Sequence, residues 1–132
     1  MYRKVRFRST IPAPWGDGDV LPESSKGTER VAQALAPRVS HVSAVEQHNF
    51  YGWGFWSKFE GCTFDNVINP VDDDCFMTIS MPAYLVRQLT FRRPRRTFDS
   101  YCQALDEALR TITEVSAIEW RDYGEGWHGR GP

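Results

Sequence analysis

Polar and apolar residues alternate along much of this chain, and the period of the alternation separates strands from helices. From Tyr2 to Ser9, Arg3, Val5 and Phe7 fall on one side of an extended segment and Lys4, Arg6 and Arg8 on the other. That predicts a strand with one wet face, and its cations suit an edge position. The densest pattern comes later. Six aromatic residues, Phe50, Tyr51, Trp53, Phe55, Trp56 and Phe59, fall within ten positions. Read as one strand from about Ala44, bent at Gly52 or Gly54, its odd positions Tyr51, Trp53, Phe55 and Phe59 form a core row, while Phe50, Trp56 and Lys58 emerge opposite. Glu60 and Gly61 predict a turn. Cys62, Phe64, Asn66 and Ile68 then alternate with Thr63, Asp65 and Val67 in the second arm of a hairpin. After a turn at Asn69 to Asp74, a third strand places Cys75, Met77, Ile79 and Met81 on one face and Phe76, Thr78 and Ser80 on the other.

Helical periodicity replaces this pattern twice. Thr28 can cap a short helix with Val31, Ala34 and Leu35 on one side, ended by Pro37. Thr97 can cap a longer one, in which Phe98, Tyr101, Cys102, Leu105, Ala108, Leu109 and Ile112 form an apolar stripe. Val115 to Arg121 reads as a last strand. Residues 10–27 hold Pro12, Pro14, Pro22, Gly16, Gly18 and Gly27 and predict a long loop anchored by Trp15, and the glycine-rich 124–132 predicts a flexible tail. The expected architecture is one α+β domain over 1–132. It runs strand, helix, three-strand meander, helix, strand, with a mainly antiparallel sheet and two helices packed on one face.

The second sheet face then needs an explanation. Glu46, His48, Phe50, Trp56, Lys58, Thr63, Asp65, Val67, Phe76, Thr78 and Ser80 share it on this register. Large rings mixed with hydrogen-bonding groups suit a docking surface. The candidate binding residues are Phe50, Trp56, Lys58, Phe76, His48 and Glu46, with Trp15 on the loop that could cover them.

Composition narrows the function classes. An apolar fraction of 41%, with 14% aromatic, suffices for one core and argues against disorder. The net charge of -1 argues against a polyanion binder that is basic all over, so electrostatic recognition must be local. Three widely spaced cysteines, Cys62, Cys75 and Cys102, predict buried thiols in a reduced, cytoplasmic setting rather than a disulfide framework. No apolar stretch follows the basic start as in a signal peptide, and none is long enough to span a bilayer.

Candidate chemistry is sparse. Asp72, Asp73 and Asp74 lack the alternating oxygens of a calcium loop, and His41, His48, His128 and the cysteines form no close-spaced zinc pairs. Glu46 and His48 are the one acid and base pair that strand periodicity sets side by side, which a surface hydrogen bond explains better than catalysis. No Ser or Cys sits in a nucleophile elbow. No catalytic residue, metal or cofactor is therefore assigned. Arg92, Arg93, Arg95 and Arg96 crowd the approach to the second helix, where free amides and the helix dipole also favour an anion. A nucleic-acid backbone or another anionic ligand could use them, unless acids such as Asp99 neutralise the run.

The element order over about residues 28–113, with cations just before the second helix, resembles the double-stranded-RNA-binding fold. The helix start Thr97, Phe98, Asp99, Ser100 does not carry that family's lysine motif. GWGFWSKFEG at 52–61 and NPVDDD at 69–74, in a short chain without familiar motifs, are similar to orphan proteins carried on bacterial integron gene cassettes. That likeness implies a bacterial accessory protein on a mobile genetic element and no particular chemistry. The sequence as a whole favours a non-enzymatic binding or protein-interaction module, a homo-oligomer or a partner of another protein. The alternatives are a nucleic-acid-binding protein and a small-molecule binder or enzyme with a pocket under the 10–27 loop.

Overall fold

A computed structural model describes residues 2–10, 26–48, 52–71, 74–81 and 94–122. Strand β1 (Tyr2–Ser9) is followed by helix α1 (Lys26–Leu35) and a 3-10 turn over Ala36–Arg38. Then come β2 (His41–Val42), β3 (Glu46–His48), β4 (Gly52–Phe59), β5 (Cys62–Val71) and β6 (Asp74–Ser80). Helix α2 (Pro94–Arg110) and β7 (Val115–Asp122) complete the order. The strands form one antiparallel sheet in the order β2-β4-β5-β6-β1-β7, with β3 also paired to β4. The expected α+β architecture, mainly antiparallel with both helices on one face, is what the chain adopts.

The meander is built by two tight devices. Phe59 pairs with Cys62 around Glu60 and Gly61, both at positive φ (51° and 79°), the pair of left-handed residues that a two-residue hairpin requires. At the other end of β4, a Cβ on Gly52 would stand 2.0 Å from the Ile68 carbonyl oxygen. Only glycine lets the two backbones approach so closely.

Alternation then decides the layers. Val5, Phe7, Phe55, Phe64, Ile68, Cys75, Met77, Ile79 and Met81 point inward, where Val31 and Leu35 of α1 and Phe98, Tyr101, Leu105 and Leu109 of α2 cover them in one core. The Tyr101 ring lies parallel on Phe64 with centroids 4.0 Å apart, and Phe98 meets the same ring edge-on at 5.7 Å. Arg3 ties the start of α2 to the sheet, its guanidinium 5.4 Å from the Phe98 ring centre and 2.6 Å from an Asp99 carboxylate oxygen. All three cysteines are free and buried.

Four sequence expectations change. The aromatic strand does not run on from Ala44, because Glu46–His48 folds back on Gly52–Phe59 as a separate strand, pairing His48 with Gly52. β1 is not an edge: it lies between β6 and β7, with Arg6 and Arg8 met by carboxylates on those neighbours. Thr28 and Thr97 cap nothing, since α1 starts at Lys26 and α2 at Pro94, which suits the first helical position through its fixed φ. The turn expected over Asn69 to Asp74 is narrower, as Val71 already pairs with Asp74. Residues 11–25 of the expected loop, with Trp15, and the 124–132 tail lie outside the described residues.

Candidate functional site

Strand register fixes what the face away from α1 and α2 presents. One row crosses the whole sheet as Glu46, Gly54, Val67, Thr78, Lys4 and Arg121. The next row toward the β4–β5 turn holds Trp56, Asp65 and Ser80, and the next on the other side holds Asn69, Phe76, Arg6 and Glu119. Trp56 is 40% exposed, the large hydrophobic side chain that stands out among the described residues. His41 pairs with Lys58 on the adjoining edge, so both sit two residues beyond Trp56 on the same face. The His41 ring lies 5.0 Å from the indole, centre to centre, and the Lys58 ammonium 6.0 Å from it. An ammonium at that distance is attracted by the electron-rich ring face.

The edge itself is bent. His41 and Val42 pair with β4 in one register and Glu46–His48 in another, one residue apart, so one extra residue is taken up over Ser43, Ala44 and Val45. The bulge is tied down by hydrogen bonds between Ser43 and Trp56: the Ser43 N–H donates to the Trp56 carbonyl at 2.8 Å, and the Trp56 N–H donates to Ser43 Oγ at 2.9 Å. Beside it, where Gly54 offers no side chain, a hollow of about 100 Å³ opens between Trp56, Glu46, Asp65 and Val67.

Charges divide the face into two halves. On the β1 side, Arg6 holds Glu119 at 2.7 Å, Arg121 approaches the same carboxylate at 3.8 Å, and Arg8 meets Asp74 at 3.5 Å. Cross-strand partners of this kind compensate the basic strand locally. On the β4 side, Glu46 and Asp65 enter no ion pair or side-chain hydrogen bond among the described residues.

Of the sequence-predicted binding residues, Glu46, Trp56 and Lys58 share this face within two adjacent strands. Phe76 is on the same face but apart from them. Trp56 lies in the row of Ser80, four residues along β6 and two strands away, roughly 13 Å along and 10 Å across. The two rings therefore form no common platform. His48 falls two residues from Glu46 on β3, and Phe50 and Trp15 lie outside the described residues. Arg92 and Arg93 lie outside them too. Arg95 and Arg96 are in the first turn of α2, not in a connection before it, and are exposed. Asp99 is held by Arg3, not by this basic run. Asp72 and Asp73 are outside the described residues, among which no group of His, Cys, Asp or Glu is arranged to hold a metal ion.

Two contributors escaped the sequence reading. His41 sits on a two-residue strand, too short for alternation to register, and Gly54 acts through the side chain it lacks. No protein-family model, curated protein or solved structure matches this chain. No helix among the described residues is long and apolar enough to cross a membrane.

Proposed function

We propose that the chain is a non-catalytic binding module that docks a partner protein on the sheet face away from α1 and α2, around Trp56, the simplest partner being a second copy. The exposure of Trp56 carries this reading. A partly exposed indole beside a hollow and two carboxylates is the kind of anchor that interfaces desolvate. The uneven charge of the face supports self-pairing, since a two-fold axis through its middle would set the cation-rich β1 side of one copy against Glu46 and Asp65 of the other. Three buried free thiols support a reducing, cytoplasmic setting. Light scattering over a wide concentration range tests the proposal. The expected mass rises above the 15.2 kDa of one chain and falls back in Trp56→Ala. A single-chain mass at every concentration, unchanged by the substitution, overturns it.

A second reading, nucleic-acid contact, draws on Arg95 and Arg96. Both are exposed in the first turn of α2, and neither is engaged by a carboxylate among the described residues. Titration with single- and double-stranded RNA at two salt concentrations tests it, because phosphate contacts must weaken steeply with salt.

A further inference from the structure

The hollow over Gly54 combines three features that together select a ligand by charge. Its floor is backbone, because the row Glu46, Gly54, Val67 has a missing side chain at its centre. Trp56 lines one side, with His41 and Lys58 two residues further along the same face. Glu46 and Asp65 are its charged lining, and Ser43, Gln47 and Asn66 add neutral polar groups. On the same face, Asp74 and Glu119 are each matched by an arginine, whereas these two carboxylates pair with no cation among the described residues.

An indole beside two carboxylates attracts an organic cation, through the ring quadrupole and through charge-assisted contacts. A bare metal ion fits worse, because hard cations want six or more oxygens and an indole supplies none. An anion would face two like charges. A neutral guest would strip water from the carboxylates and give nothing back. The volume of about 100 Å³ admits a headgroup rather than a whole metabolite.

We propose that this hollow binds a cationic headgroup, a quaternary ammonium or a guanidinium, between the Trp56 indole and the carboxylates of Glu46 and Asp65. This deepens the reading of the face as a binding surface, and the cation belongs either to a free small molecule or to a basic side chain of the docked partner.

Amide and indole NMR shifts, recorded where light scattering reads a single chain, test it independently of self-association. Three probes are titrated: choline, its neutral isostere 3,3-dimethyl-1-butanol, and Nα-acetylarginine amide. Saturable shifts at the Gly54 amide and the Trp56 indole N–H are expected, with at least one cation bound about tenfold more tightly than the neutral alcohol. The Glu46→Gln, Asp65→Asn double variant, altered only at exposed positions, should fold as before and lose that preference. Lys58→Gln should tighten cation binding by removing a like charge. Tighter binding of choline assigns a free quaternary ammonium, and tighter binding of the arginine amide assigns a partner's side chain. Equal binding of the alcohol, or no saturable shift with either cation, overturns the proposal whatever the oligomeric state.

Discussion

The hydroxyl of Tyr101 on α2 donates to Oδ1 of Asn66 on β5 across 2.8 Å, in a core from which both residues are sealed. Ser57 on β4 closes the circuit. Its Oγ lies 2.6 Å from the Tyr101 hydroxyl and accepts from Asn66 Nδ2 at 3.2 Å. With Tyr101 donating to Asn66 and Asn66 to Ser57, the Ser57 proton turns to Tyr101, and the three bonds run one way round a ring. Bonds in such a chain polarise one another, and the low local dielectric makes an unpaired member costly.

Removing one member should therefore cost more than an average hydrogen bond. Tyr101→Phe keeps the stacking on Phe64 but leaves Asn66 Oδ1 and the Ser57 hydroxyl without their partner, a penalty of about 1–3 kcal/mol. We expect a fall in Tm on the order of 5–10 °C by circular dichroism. Ser57→Ala in the Tyr101→Phe background should cost less than in the native chain, since members of one network do not add. Additive losses would show three independent bonds instead.

The glycines at the two ends of β4 should respond differently. Gly52→Ala sets a Cβ 2.0 Å from a backbone oxygen, which only a shift of β4 against β5 can relieve. At Gly61 a Cβ meets nothing within 4 Å, and the cost is the left-handed φ alone, about 1 kcal/mol. Urea unfolding should rank Gly52→Ala as clearly the more damaging, by more than about 2 kcal/mol against the native chain. Equal losses would mean that the sheet yields at Gly52.

What the sequence revealed and what it hid follow from which interactions are local. Phe55 inward and Trp56 outward were legible because neighbouring residues on a half-buried strand must oppose each other. The reversal between β3 and β4 was invisible for a related reason. His48 pairs with Gly52 and Glu46 with Gly54, so even positions face even positions, and one alternation runs unbroken from β3 into β4. The cations of β1 resembled an edge because their partners, Glu119 and Asp74, are remote in sequence. Ser57 was overlooked in an apolar row because its partner Tyr101 lies 44 residues away, on another element. The hollow needed register as well as pattern, since Gly54, Glu46 and Asp65 come from three strands.

Acid should loosen the grip of α2 on β7. Asp106 accepts the Trp120 indole N–H at 3.0 Å and the Arg110 guanidinium at 2.8 Å. Partial burial opposes its ionisation, yet these bonds prevail and hold the carboxyl below its ordinary value. A lowered native pKa means stability that is present above the ordinary carboxylate pKa of about 4 and is lost as pH falls through the native one. We expect the Trp120 indole signal to move in that window and Asp106→Ala to abolish the movement while lowering stability at neutral pH. A pH-independent indole would detach the carboxylate from the contact.

Alkali should act on the core through groups that are neutral when folded. Burial, helped by the Asp74 charge, pushes the Cys75 thiol up to about 12. Burial likewise raises the Tyr101 hydroxyl, against the opposing pull of its Ser57 and Asn66 bonds. The unfolded chain ionises these groups at their ordinary values, about 8.5 and 10, while the folded chain still holds both protons. A raised native pKa contributes stability that is complete below the unfolded value and drains away as pH climbs toward the native one. Unfolding free energy from urea titrations should therefore be level up to about pH 8 and then decline, by up to about 1.4 kcal/mol per pH unit for each group in its window. Cys75→Ala lowers the whole curve by its cavity but should flatten the segment that begins near pH 8.5, and Tyr101→Phe should flatten the later one. The same burial predicts that a thiol reagent at pH 8 labels Cys62, Cys75 and Cys102 at the rate at which the chain opens. Labelling proportional to reagent concentration and far faster than unfolding would instead mean that the thiols are reached without opening the core.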